Sequence, residues 1–329
     1  MADHEDGRGP SDETVLSRRG FLGVSGATAA AVAGLGSAAG MAGFATTAQA
    51  AIANRTYFSN VVGLELDGQM AGLVESAEGG EPGFNLASGA GGQVSLAGPV
   101  YESLTLVPFR NSQAVYDWIM TSSQGKPVPP RSLAVVCYDV EGREWYRMQL
   151  DNARIVEVQL DAVDVMVTDR ARLRIKVSAS TTRHQFVTRP AVPLKTFKLA
   201  GLFQNNCRFV LDNNRDFSGG VRAVGPIAVR IRADGVPDVG AIKLEINPTA
   251  LGHAYRWMDK ALAGTFEETA GALQLWSGDL KTLLASVSFD GLGILRVTAP
   301  VRPSSGTTPL AALELYARGA KFNLSGLSI

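Results

Sequence analysis

Histidine and cysteine are almost absent from this 329-residue chain, which holds three of the first and two of the second. Beyond residue 50 only His184, His253, Cys137 and Cys207 remain, no two of them close in sequence, and no CxxC, HExxH or CxxCH occurs. A metal or haem site needs several imidazole or thiolate ligands at fixed spacing. No metal site and no cofactor site is therefore expected. Cys137 and Cys207 both lie in apolar, strand-like runs, and spacing alone leaves open whether they pair or stay as free thiols.

Nucleophile and phosphate motifs are missing too: there is no GxSxG and no GxxxxGK[ST]. Ser123-Gln124-Gly125-Lys126 has an SxxK spacing, but Pro127 follows at once and neither SDN nor KTG accompanies it. That chemistry needs a helix to carry the lysine over the serine, whereas this stretch reads as a helix end. No catalytic residue is expected. The 31 Lys and Arg side chains balance 31 Asp and Glu, so no basic surplus points to nucleic acid or to an anionic membrane.

Charge is absent once more from Gly20 to Asn54, a segment mainly of Ala and Gly that is too weakly apolar to read as a spanning helix. Ahead of it, Ser17-Arg18-Arg19-Gly20-Phe21-Leu22 resembles a twin-arginine export signal. Ala48-Gln49-Ala50 supplies small residues at both positions a signal peptidase reads, which places the cut after Ala50. The reading is export through the twin-arginine translocase to the periplasm, the cell surface or the medium. Gly34, Gly36 and Gly40 spell a GxGxxxG inside this leader, with no strand before them, and are no dinucleotide site.

The remainder is rich in alternating apolar and polar positions: "VVGLELDG" (61–68), "YESLTLVPF" (101–109), "RSLAVVCYD" (131–139), "EWYRMQL" (144–150), "ARIVEVQLDAV" (153–163) and "ARLRIKVSA" (171–179). These predict strands of a mostly antiparallel sheet or barrel. Residues 139–143 have the polar and glycine content of a hairpin turn. The glycine-rich stretch from Gly79 to Gly98 reads as a long mobile loop or hairpin arm.

Two segments predict helices. "NSQAVYDWIMTSS" (111–123) has Asn111 or Ser112 as cap and Val115, Trp118 and Ile119 on one face. "NPTALGHAYRWMDKALAG" (247–264) has Asn247 as cap, Pro248 at the first helical position and Ala254, Trp257 and Met258 on one face. His253 lies beside that face and His184 near the middle of the chain, both read as ordinary structural histidines. Tyr116-Asp117-Trp118-Ile119 matches Tyr255-Arg256-Trp257-Met258 at an offset of 139, and the same offset lays "LDNARIVEV" (150–158) on "FDGLGILRV" (289–297). With small changes of offset, "VGLELDG" (62–68) matches "CRFVLDN" (207–213), and "ARLRIKVSA" matches "LAALELYARGA" (310–320).

The expectation is a mainly β chain with one helix per repeat (α+β): a leader at 1–50, a first barrel domain at 51–186, a linker at 187–200 and a second barrel domain at 201–329. Tyr116, Trp118, Tyr255 and Trp257 are the expected anchors of helix on sheet.

The order of residues from 57 to 179 carries a further signal: Phe58, Val62-Gly63-Leu64, a glycine-rich span, Tyr101 to Leu106, Trp118, Arg131 to Val135, Asp139 to Gly142, Trp145 to Ala153 and Leu160-Asp161-Ala162. This order resembles the contractile-phage tail tube family, related to the haemolysin-coregulated protein of type VI secretion. The resemblance implies a small β-barrel with one packed helix, six-domain rings stacked into a tube, and a structural rather than enzymatic role. Its partners would be further copies of itself and other tail or injection-system components. Family members generally carry one such domain and no export signal, and the second repeat has Leu284 where Trp145 stands in the first. Two domains per chain imply a trimer with pseudo-sixfold symmetry, like the hub that caps a tail tube. Two other readings stay open: a secreted β-rich module that recognises a ligand or surface polymer through the Gly79 to Gly98 segment, and an exported enzyme whose site has no recognisable motif.

Overall fold

The computed structural model describes residues 61–329 apart from 89–93, 188, 190–200, 213–214, 266, 300–309 and 329. Ser17, Arg18, Arg19, Phe21, Leu22, Ala48 and Ala50, and nearly all of the expected linker, lie outside the described residues.

The alternating stretches fold as antiparallel strands because one side of each faces an apolar interior and the other faces out. In the first repeat these are β1 (Val61–Leu66), β2 (Gln69–Gly79), β3 (Pro82–Ser88), β4 (Val94–Tyr101) and β5 (Leu104–Asn111). Helix α1 (Gln113–Ser122) follows, then β6 (Arg131–Tyr138), β7 (Glu144–Leu160), β8 (Val163–Asp164), β9 (Leu173–Ser178) and β10 (Thr181–Phe186). The long strand β7 closes the sheet on itself. Its first half pairs with β6 and its second half with β9. The circuit β7-β6-β1-β2-β5-β9 therefore returns to β7 as a six-stranded barrel, filled by Leu64, Leu106, Leu133, Leu150 and Ile175. Gly142 takes a positive φ of 75° in the turn between β6 and β7, as a tight hairpin requires.

The second repeat runs β11 (Cys207–Leu211), short helix α2 (Arg215–Ser218), β12 (Val221–Val224), β13 (Ile227–Ile231), β14 (Pro237–Val239) and β15 (Ile242–Ile246). It continues through α3 (Pro248–Leu262), β16 (Thr269–Trp276), β17 (Leu283–Thr298), β18 (Ala311–Tyr316) and β19 (Gly319–Asn323). Its strands take the order β11-β16-β17-β18-β15-β12 and form a nearly closed barrel, since β11 and β12 do not pair as β1 and β2 do. The duplication extends to the register. Arg131 faces Ala153 as Thr269 faces Leu292, and Leu104 faces Val177 as Ile242 faces Leu315.

The two helices end up in different surroundings. In α1, Val115, Tyr116, Trp118 and Ile119 are buried. In α3 the buried residues are Ala250 and Ala254, Trp257 and Met258 are half-buried, and Tyr255 is 41% exposed. Helix α1 touches β2, β5 and β7 of its own barrel and also β19 and the terminal turn Ser325–Ser328 of the other, whereas α3 rests on the short helix α2 and on β15, β17 and β18 of its own. A matching sequence therefore meets the other barrel at α1, whereas α3 meets elements of its own repeat. Asn247 caps α3 as expected, accepting from the Thr249 and Ala250 N–H groups, and Ser112 precedes α1 without a side-chain cap bond.

The outer face of the first barrel carries a buried ionic knot. The Arg147 guanidinium donates to Glu65 at 2.5 and 2.9 Å and to Glu144 at 2.7 and 3.1 Å, and Arg189 approaches Glu144 at 3.4 Å. The two carboxylates hold the Arg147 pKa above its ordinary range. Beside them, burial and then the charges of Glu65 and Glu144 push the Tyr138 pKa up to about 12. One bidentate cation thus allows two carboxylates to lie side by side out of water. Replacing Arg147 by Met leaves Glu65 without its cation and Glu144 with only the longer contact to Arg189, and the expected loss is about 3–5 kcal/mol. Urea unfolding of Arg147→Met checks this, and the triple change to Glu65→Leu, Arg147→Met and Glu144→Leu should recover much of the loss.

Candidate functional site: the seam between the barrels and its unpaired counterpart

No metal-ligand cluster of His, Cys, Asp and Glu is present among the described residues. Ser123 is fully buried at the end of α1, where its hydroxyl donates to the Met120 carbonyl and accepts from the Phe322 N–H of the second barrel at 3.1 Å. That hydroxyl fastens the two barrels together, which accounts for the serine of the SxxK spacing. The Tyr146 hydroxyl lies 2.7 Å from His184 Nδ1 at the base of the β3–β4 hairpin, with Glu81 3.4 Å from His184 Nε2. Cys137 and Cys207 are both free thiols, and burial pushes the Cys207 pKa up to about 11.

The most developed surface is the seam itself. Between its second and third barrel strands each repeat inserts a hairpin: β3–β4 in the first, β13–β14 in the second. The β13–β14 hairpin leaves its own barrel and extends the other one. Ile227, Ala228, Val229 and Arg230 pair antiparallel with Leu160, Gln159, Val158 and Glu157, so that β13 continues the edge of β7 where β6 ends. Four apolar side chains close over one another there, with Ile227 and Leu160 at 2% exposure and Val229 and Val158 at 0%. Burying each contributes about 1.5–3 kcal/mol as an upper figure.

Polar contacts fix the register. Arg230 meets Glu157 at 3.3 Å, Arg222 meets Asp164 at 3.0 Å, and β8 pairs with β12 through Val163 and Val224. Gly235, at the tip of the hairpin with φ of 82°, lies against the backbone of Lys126 and Pro127, where a Cβ would come within 2.6 Å of the Pro127 nitrogen. Only glycine combines that φ with that approach.

The first-repeat hairpin has no such berth. Strands β3 and β4 form a two-stranded sheet that no third strand joins among the described residues. Phe84, Leu86 and Leu96 are 60%, 71% and 69% exposed, and Leu86 stands directly opposite Leu96. The loop or arm expected from Gly79 to Gly98 is thus an arm, with an apolar face on the outside.

Sequence reasoning located the pieces of the seam without locating the seam. The segment from Ile227 to Ile231 alternates like any barrel strand, and period two says nothing about which barrel receives it. Its one available signal was positional, since it occupies in the second repeat the place that Gly79 to Gly98 occupies in the first. Tyr116 and Trp118 lie at the seam, Tyr116 sharing a cleft with Leu327 and Trp118 one with Ile231. Tyr255 and Trp257 lie on the equivalent face of α3, away from it.

No protein-family model and no curated protein matches the chain. Among solved structures, Hcp1 from Flavobacterium johnsoniae is similar at 18% identity, over 36% of this chain and 95% of that one, with a TM-score of 0.28.

Proposed function

We propose that this is an exported structural protein that assembles with copies of itself into a ring, tube or hub of a contractile-injection-like particle. The observation that carries the reading is the seam: two barrels of one topology, joined edge to edge by a hairpin that one contributes to the other. Such a contact is heterologous, with different surfaces on its two sides, and a heterologous contact made between copies repeats until a ring closes or a filament grows. Three chains of two barrels make a six-barrel ring. The order of residues from Phe58 to Ala162, which resembles the tail tube family, favours that number.

The Ser17 to Leu22 motif and the small residues at Ala48 and Ala50 support delivery by the twin-arginine translocase to the periplasm, the cell surface or the medium. That route suits a protein with many strand pairings distant in sequence, which form slowly and expose unpaired edges while incomplete. Other tail or injection-system components would complete such a particle.

Native mass measurement and negative-stain imaging of the purified chain test the assembly. The expected result is a trimer that appears as a ring with six lobes, and a monomer at the highest attainable concentration contradicts it. Fusing residues 1–60 to a reporter tests the route. Replacing both Arg18 and Arg19 by lysine should abolish export, and undiminished export contradicts the twin-arginine assignment.

A further inference from the structure

The seam within the chain shows what each repeat presents to a neighbour, and each end of the chain retains one half of it. We infer that the β3–β4 hairpin of one copy adds as a strand to the outer edge of β17 in a second copy, repeating between chains the contact that β13 makes with β7 within one. The inference rests on the self-assembly reading and specifies the surface through which it occurs.

Three observations support this partner. The first is the edge. On β7, residues Glu157–Leu160 lie beyond the reach of β6 and are covered by β13. On β17 the same positions, 139 further along, are Arg296–Ala299, which lie beyond the reach of β16 and pair with no other strand on that side among the described residues. Exposure follows the vacancy. Val158 and Leu160 are buried at 0% and 2%, whereas their counterparts Val297 and Ala299 are half-buried and exposed.

The second is the hairpin. Sheet edges that stay in solvent are normally guarded by charge or proline. From Pro82 to Tyr101 there is no charged residue, proline stands only at Pro82 and Pro99 toward the base of the hairpin, and the strands turn Phe84, Leu86 and Leu96 outward. Counted from the first residue of each hairpin, Phe84 takes the place in β3 that Val229 takes in β13. The third is the helix. Ser123, at the end of α1, is fully buried and accepts from the Phe322 N–H of the second barrel, and its counterpart Leu262 on α3 is 79% exposed. Hairpin, strand edge and helix face are thus each satisfied once inside the chain and left open once at its ends. A second copy supplies all three together, and the contact runs head to tail.

Two modifications of the full chain test the inference. Phe84→Asp together with Leu86→Asp places charge on side chains that are exposed in the single chain, so folding is unaffected and the unfolding midpoint stays the same. Self-association measured by sedimentation should weaken at least 10-fold. Separately, Phe84→Cys combined with Val297→Cys should give a ladder of disulfide-linked chains on oxidation that neither single cysteine variant gives. An oligomer that keeps its affinity with both aspartates and yields no ladder overturns this contact while leaving self-assembly intact. A wild-type chain that stays monomeric at high concentration overturns both.

Discussion

Everything distinctive about this protein follows from four backbone pairings, Ile227 to Arg230 against Leu160 to Glu157. A β-barrel normally protects its strand edges by closing. The first barrel closes through β7 and β9, yet β7 is so long that its far end outruns β6 and remains an open edge on one side. The second barrel fills that edge with its own inserted hairpin and buries Val158, Leu160, Ile227 and Val229 in doing so. Two barrels of one design become a single body, with α1 and the Ser123 hydroxyl bound to the C-terminal strand of the second.

The same arrangement sets what the ends of the molecule must be. A duplicated unit that joins to itself by unlike surfaces uses one donor and one acceptor in the join and leaves one of each over. Here the donor left over is the uncharged β3–β4 hairpin and the acceptor is the far end of β17. On the proposed reading the exposed apolar area on the arm is the surface a second copy covers.

Much of the fold is legible in the sequence because the strands are half-buried and short-range pattern reports half-burial directly. Asn247 and Pro248 mark the start of α3, residues 139–143 mark a turn, and the offset of 139 between β7 and β17 reappears in the pairing register. What lies opposite an outward side chain is not legible. Tyr255 repeats Tyr116 and Trp257 repeats Trp118 in sequence, but burial of the first-repeat pair depends on residues such as Leu327 and Ile231, more than a hundred positions away. The strand β13 carries an ordinary period-two pattern, so its departure to the other barrel leaves no local mark. The ionic knot of Glu65, Glu144 and Arg147 is hidden for the same reason, since its members come from two strands that the sequence does not pair.

In the assembly proposed above, one strand-edge contact is used twice, once within the chain and once between chains. Backbone hydrogen exchange as a function of protein concentration tests it most directly, because slow exchange requires a hydrogen-bonded edge. Amides of Ile227 to Arg230 should be protected at every concentration, while the outer-edge amides of β17 near Arg296 to Thr298 and those of β3 should gain protection together as concentration rises. Exchange at β3 and at β17 that is the same in dilute and concentrated protein would contradict it.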